Sequence, residues 1–366
     1  MFDRFHKSVL TRGALISACG AVALAAVGLG LSAAPAAAAE ELNALVWCDH
    51  TDPALIQPFE EKYGVKVNLK EYEGTGTALA IIEQSQPGDW DVFVVDGVDV
   101  PRVVEAGLLA ELPVDQLPLD DIFDFVQMRD VTFKDGKMYA IMEKFGYNVV
   151  SYNRAKVDPA DMRDLNTLWS DKYKGRIAVY DYYIPLIDLV ALKLGIKPSD
   201  ITAADLPQIK EALFQLKDNS VMVGEVISST TALATGEADI LLGGGEWAVA
   251  VLLADNPDLD WVLPDQGGIL WSQSLAIFKD SKKQDLALEF VKYVMSPEGQ
   301  ARLATSSCFW GMPANRNAGD KLSDEQKRGL RWDEQNSFLA KSHRYFIPDA
   351  DLDAQMLDVW TEFLQH

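Results

Sequence analysis

Between Leu42 and Ala106 the chain alternates short apolar runs with helical segments, and the alternation returns between Arg176 and Leu242. This repetition constrains the fold most, because strands joined by helix-length crossovers pair in parallel and need helices over their faces. In the first stretch Leu42–Trp47 reads as a strand. Pro53–Tyr63 reads as a helix, with Asp52 as N-cap, Pro53 in the first turn and Gly64 as the stop. Val65–Tyr72 alternates apolar and polar residues, Thr75–Gln84 has helical spacing, Trp90–Val95 is a buried strand, and Val100–Ala106 is a helix closed by Gly107. In the second stretch Arg176–Tyr180, Val221–Val226 and Ala238–Leu242 read as strands, and Leu186–Leu194, Leu206–Leu216 and Thr231–Thr235 as helices. Two apolar, extended segments, 139–151 and 267–278, read as crossings between the halves. Leu286–Met295 and Pro297–Ala304 read as later helices. Parallel sheets bind ligands beyond the carboxyl ends of their strands, which puts Trp47 to His50, Asp49 included, and Asp96 to Asp99 on one rim.

The N-terminus predicts export. Arg4, Lys7 and Arg12 precede an apolar and small-residue stretch from Ala14 to Ala34, then Pro35 and four alanines before Glu40. That order is a secretory signal peptide, residues 1–39, cleaved before Glu40 and leading to the periplasm. The stretch is too rich in Ala and Gly for a membrane anchor. Lipid attachment at Cys19 would leave only four residues between Arg12 and Ser17 as a hydrophobic region, and Arg12 has no neighbouring Arg for a twin-arginine route.

Removing residues 1–39 takes away Arg4, Lys7, Arg12 and Asp3 and moves the net charge from −22 to about −24. Such a charge argues against nucleic acid or an anionic membrane as partner. Catalytic signatures are missing: no GxSxG elbow, HExxH or CxxC occurs, and Gly243-Gly244-Gly245 is not closed by Gly-Lys-Ser/Thr and reads as a tight bend. A secreted hydrolase is therefore disfavoured, and no cofactor is expected. Cys48 and Cys308 remain after cleavage; in an oxidising compartment they can pair, or both can be buried free thiols.

Several segments carry a resemblance: Asp52-Pro53 through Gly64-Val65-Lys66-Val67, Trp90 through Val94, Gly146 through Asn153, and Leu168 through Gly175. Gly236-Glu237, Gly267-Gly268 through Trp271, and Ser296 through Gln300 complete the set. In their order and spacing they resemble the periplasmic spermidine/putrescine-binding proteins of polyamine ABC importers, within the extracellular solute-binding family. The resemblance implies a two-lobed periplasmic-binding-protein fold, each lobe a mainly parallel sheet flanked by helices, with the ligand in the cleft between them. It places lobe 1 in residues 40–142 and 273–320, lobe 2 in 143–272, and a C-terminal helical segment in 321–366. It implies a monomer that hands a small cationic amine to a membrane permease.

Carried over by position, the aromatic after the first strand of such proteins matches Trp47. Their hinge Trp-x-Asp stands here as Trp271-Ser272-Gln273, and their Ser-x-Tyr as Asp96-Gly97-Val98. Their second-lobe acidic pair falls on Tyr182 and Pro185, with Asp181 adjacent; their second-lobe Trp falls near Gly244, three residues before Trp247; a late Tyr corresponds to Trp310. Since that late position faces the cleft in the family, Cys308 is expected near Cys48, as a disulfide. Trp47, Phe145, Tyr182, Tyr183, Trp271 and Trp310 are the candidate aromatic walls, and Asp96 and Asp181 the candidate counter-charges for an ammonium group. Phe145 and Tyr183 fit ordinary packing equally well, and Asp96 fits a turn cap before Gly97. Two other ligands stay open. A zwitterionic, amino-acid-like solute would need Lys144 or Arg316 in the cleft, and a ferric ion would draw on Tyr180, Tyr182 and Tyr183.

Overall fold

A computed structural model describes residues 40–366, so the signal-peptide reading lies outside the described residues. Residues 39–366 form one compact unit. Strand Glu40–Val46 pairs in parallel with Val65–Glu71 on one side and with Val92–Asp96 on the other. Helix Pro53–Tyr63 connects the first two strands. The Asp52 carboxylate accepts from the Ala54 N–H at 2.8 Å, and Gly64 ends the helix at φ 66°, a left-handed turn that costs a glycine little. Helix Thr75–Glu83 makes the second crossover.

The second half repeats this plan. Ile177–Tyr180 pairs in parallel with Ser220–Gly224 and with Ile240–Gly244, so each half places its first strand between its second and third. The predicted strand over Val221–Val226 is two residues too long: Val226 opens the helix Val226–Thr235 instead.

The two predicted crossings are the strands Ile141–Asn153 and Gly268–Ile277, antiparallel to each other in the middle of one continuous sheet. Gly268–Ile277 also pairs with Val92–Asp96 of the first half, and Ile141–Asn153 with Ile240–Gly244 of the second. Covered on both faces, Ile141–Asn153 is buried along all but its last residue, which explains why it reads as an unbroken extended run. The last helix, Ala350–Gln365, buries Met356, Val359, Trp360 and Phe363 in the core of the second half, against Leu186, Ile209 and Leu213. Among the described residues no helix is long and apolar enough to cross a membrane.

Candidate functional site

The carboxyl ends of the strands in both halves converge beside the crossing strands. Asp96 ends Val92–Asp96 and lies opposite Gln273 in the sheet register. Tyr180 ends Ile177–Tyr180, with the Trp247 ring at 5.2 Å and the Tyr182 ring at 6.0 Å; Tyr345 stands 5.8 Å from Tyr182 and donates its hydroxyl to Asn148 Oδ1 at 2.7 Å. The halves meet electrostatically here. Burial raises the Tyr180 and Tyr182 phenols above their ordinary range, and the next cause for each is the charge of Asp96 from the opposite half. On the first half Trp47 packs on Tyr72 at 5.5 Å.

Among the described residues Asp96 has no cationic partner. Burial first, then the nearby charges of Asp99 and Asp49, push its carboxyl up to about 8. Several polar atoms around it are also unmatched: Trp247 Nε1 and Gln273 Oε1 have no hydrogen-bond partner in the protein. The Trp271 indole lies beside Glu246, and the Trp47 indole beside the Tyr72 hydroxyl, without either N–H closing a bond of good geometry. Buried polar groups are normally paired, so a cluster of unpaired ones between two halves marks a place built for a solute. Next to Asp96, Gly97 borders a cavity of about 390 Å³ that Tyr345 also lines; across it Arg344 and Asp130 form a two-bond ion pair at 2.7 and 2.8 Å.

Glu246 was not singled out by sequence reasoning. It is fully buried, accepts from the Tyr147 N–H with both oxygens at 3.2 Å, and is raised to about 8 by burial, against the pull of backbone N–H groups and Lys144. It fits only because residue 146 is glycine: a Cβ there would stand 1.6 Å from Glu246 Oε1 and 2.5 Å from the Trp271 ring. The acid's place after Gly243-Gly244-Gly245, inside an apolar run, was the available signal; Tyr345 gave none, since only the return of the C-terminal chain brings it to the site.

Other expected residues lie elsewhere. Asp49 is not open to a ligand. It forms a fully buried network in which Lys144 Nζ meets Asp49 Oδ2 at 2.8 Å, His50 Nδ1 meets Asp49 Oδ1 at 2.9 Å, and His50 Nε2 meets Glu143 Oε1 at 3.0 Å. Although burial alone would raise it, Lys144 and His50 hold the Asp49 carboxyl well below its usual range. Burial would lower His50, but Glu143 and Asp49 outweigh it and push the imidazole up to about 10. Lys144 is thereby committed, its Nζ also reaching the Phe309 carbonyl at 3.1 Å and lying over the Phe309 ring. Arg316 bonds Ile122 O and Asp124 instead, so neither cation proposed for a zwitterion faces the cleft freely. Asp181 accepts the Trp360 indole N–H at 2.9 Å, and Tyr183 donates to Asp353 at 2.7 Å; both pin the last helix. With Tyr183 so held, the three tyrosines weighed for a ferric ion do not converge. Phe145 is wholly buried between Phe123 and Tyr147, and Trp310 lies over Gly329. Cys48 and Cys308 are bonded, with Cα atoms 6.0 Å apart, an ordinary bridge separation.

Two α/β halves of like topology, joined by paired crossing strands around a half-buried acid and aromatic walls, define a solute-binding protein. The chain belongs to the bacterial extracellular solute-binding proteins, whose family profile matches residues 54–328. It is 26% identical over 304 residues to the spermidine/putrescine-binding periplasmic protein of Escherichia coli, covering 82% of this chain and 85% of that one. It is 25% identical over 294 residues to the putrescine/cadaverine-binding protein of Pseudomonas aeruginosa, covering 77% and 81%. In fold it is similar to the spermidine/putrescine ABC transporter substrate-binding protein of Streptococcus pneumoniae, with a TM-score of 0.76, 20% identity, and coverage of 89% of this chain and 99% of that one.

Proposed function

We propose that this chain is the periplasmic substrate-binding component of an ABC importer, which captures a small organic amine between its two halves and delivers it to the membrane permease. It binds its ligand without turning it over. In this reading residues 40–142 with 273–320 make one lobe, 143–272 the other, and the last helix completes the second. The observation that carries the ligand class is Asp96: a carboxyl between the halves, near enough to Tyr180 and Tyr182 of the other half to raise their phenols, with no cation to balance it among the described residues. An unpaired buried carboxylate is costly, and an ammonium ligand set against aromatic faces removes that cost. The printed names of the E. coli and P. aeruginosa relatives support the same class.

Calorimetry with a panel of amines, amino acids and Fe³⁺ tests it. Asp96→Asn is expected to weaken amine binding by about 1.5–3 kcal/mol, the range for hydrogen bonds to charged groups. An anionic preferred ligand, or unchanged affinity in Asp96→Asn, would overturn the cation reading.

A further inference from the structure

We infer that the ligand carries a single ammonium group, held at Asp96, and that its other end, facing the crossing strands, presents a hydroxyl rather than a second ammonium. This rests on the cation reading above and narrows it.

Three neighbouring strands set the pattern. Gln273 lies opposite Asp96 on one side and opposite Lys144 on the other. Residues directly opposite in antiparallel strands share a face. One face of the sheet therefore runs from acid to amide to ammonium. The anionic character sits at the Asp96 end alone, because the Lys144 ammonium is fixed by Asp49 and by the Phe309 carbonyl. A second ligand ammonium at the Gln273 end would find a neutral amide where it needs a carboxylate, since Lys144 and Asp49 beside it neutralise each other.

Glu246 does not take that part. It fills the space above Gly146, which lies opposite Trp271, and both its oxygens are turned to the Tyr147 N–H. Its oxygens are engaged by the backbone of the crossing strand and by the Trp271 indole, at the point where pairing with Ile240–Gly244 has ended.

The unmatched atoms call for a group that both donates and accepts. Gln273 Oε1 needs a donor, while Trp247 Nε1 needs an acceptor; the Trp271 indole already lies against Glu246. Whichever way the Gln273 amide is turned, it offers both roles. A hydroxyl answers both kinds of atom. An ammonium only donates, a carboxylate only accepts, and a methyl group does neither. Both Gln273 and Trp247 are more than nine-tenths buried, so water gives them little compensation.

Isothermal titration of the purified exported protein with aminobutanol, putrescine, butylamine and aminobutyrate decides the matter. Aminobutanol is expected to bind at least about ten-fold more tightly than each of the others, since a site built to bond a hydroxyl rejects analogues lacking it. Gln273→Asp is expected to reverse the order in favour of putrescine. Putrescine preferred by the wild type, with binding still lost in Asp96→Asn, would overturn this inference while leaving the cation reading intact. So would butylamine or aminobutyrate binding as well as aminobutanol. No binding of any amine would overturn both.

Discussion

Asp96 is half-buried at the end of its strand, so its ionisation is coupled to any charge placed beside it. Burial and the neighbouring acids push its carboxyl up to about 8 in the folded chain, whereas an unfolded chain would release the proton near 4. Between those values the folded state binds more protons than the unfolded one. This group's contribution to stability is therefore greatest below about pH 4 and is lost as pH rises toward 8. A cationic ligand favours the ionised carboxyl, so binding should expel a proton at pH 7 and strengthen as pH rises through that window. Titrations in buffers of different ionisation enthalpy measure the proton count. Glu246 is raised to about 8 as well, and the charges of Asp99 and Asp49 act on Asp96. Asp96→Asn is thus expected to abolish most, not all, of the proton release. A release unchanged in that variant would assign the linkage to Glu246.

At the level of elements, the end of the first strand is tied to two distant segments. The Cys48–Cys308 bridge joins it to the turn after helix Pro297–Ala304, and the Ser307 N–H donates to Asp52 at 2.8 Å. The Asp49–Lys144 and His50–Glu143 contacts join it to the first crossing strand. Together they fix Trp47 and the Phe309 face that packs on Trp271. Replacing both cysteines with alanine is expected to lower unfolding free energy by about 2–5 kcal/mol, since the bridge closes a loop of 260 residues. Denaturant melts check the value, and an unchanged midpoint would show that the buried network alone holds the corner. Asp49→Ala should cost about 3–5 kcal/mol by leaving Lys144 buried without its anion.

Across the whole molecule, the two crossing strands run through the middle of the sheet, and Arg344–Asp130 is an ion pair lining the cavity beside Gly97. Both partners are substantially exposed, so the pair is worth only about 0.2–1 kcal/mol. If it helps hold the halves together around a ligand, Asp130→Asn should weaken binding by up to about five-fold, mainly through faster dissociation, and high salt should do the same to the wild type. Stopped-flow dissociation at two ionic strengths is the measurement. Equal dissociation rates would limit the pair to a surface contact.

The sequence by itself determined the elements and their order. Period and punctuation are local, so Asp52, Pro53 and Gly64 bound the first helix at its observed ends, and the crossings were legible as long apolar runs. It also supplied Trp47 and Asp96, because those positions end or follow strands whose carboxyl ends must form the rim; Trp247, Trp271 and Gln273 came from the family resemblance alone. Tertiary structure alone decided which polar groups were free. Asp181 and Asp96 look alike in sequence, yet Asp181 is occupied by Trp360 from the last helix while Asp96 has only other carboxylates and phenols as its charged or titratable neighbours. Asp49 and Lys144, 95 residues apart, cancel each other once the first and middle strands are brought together. Whether a charge is spent or available depends on its partner across space, and that pairing is set by the packing of segments far apart in the chain.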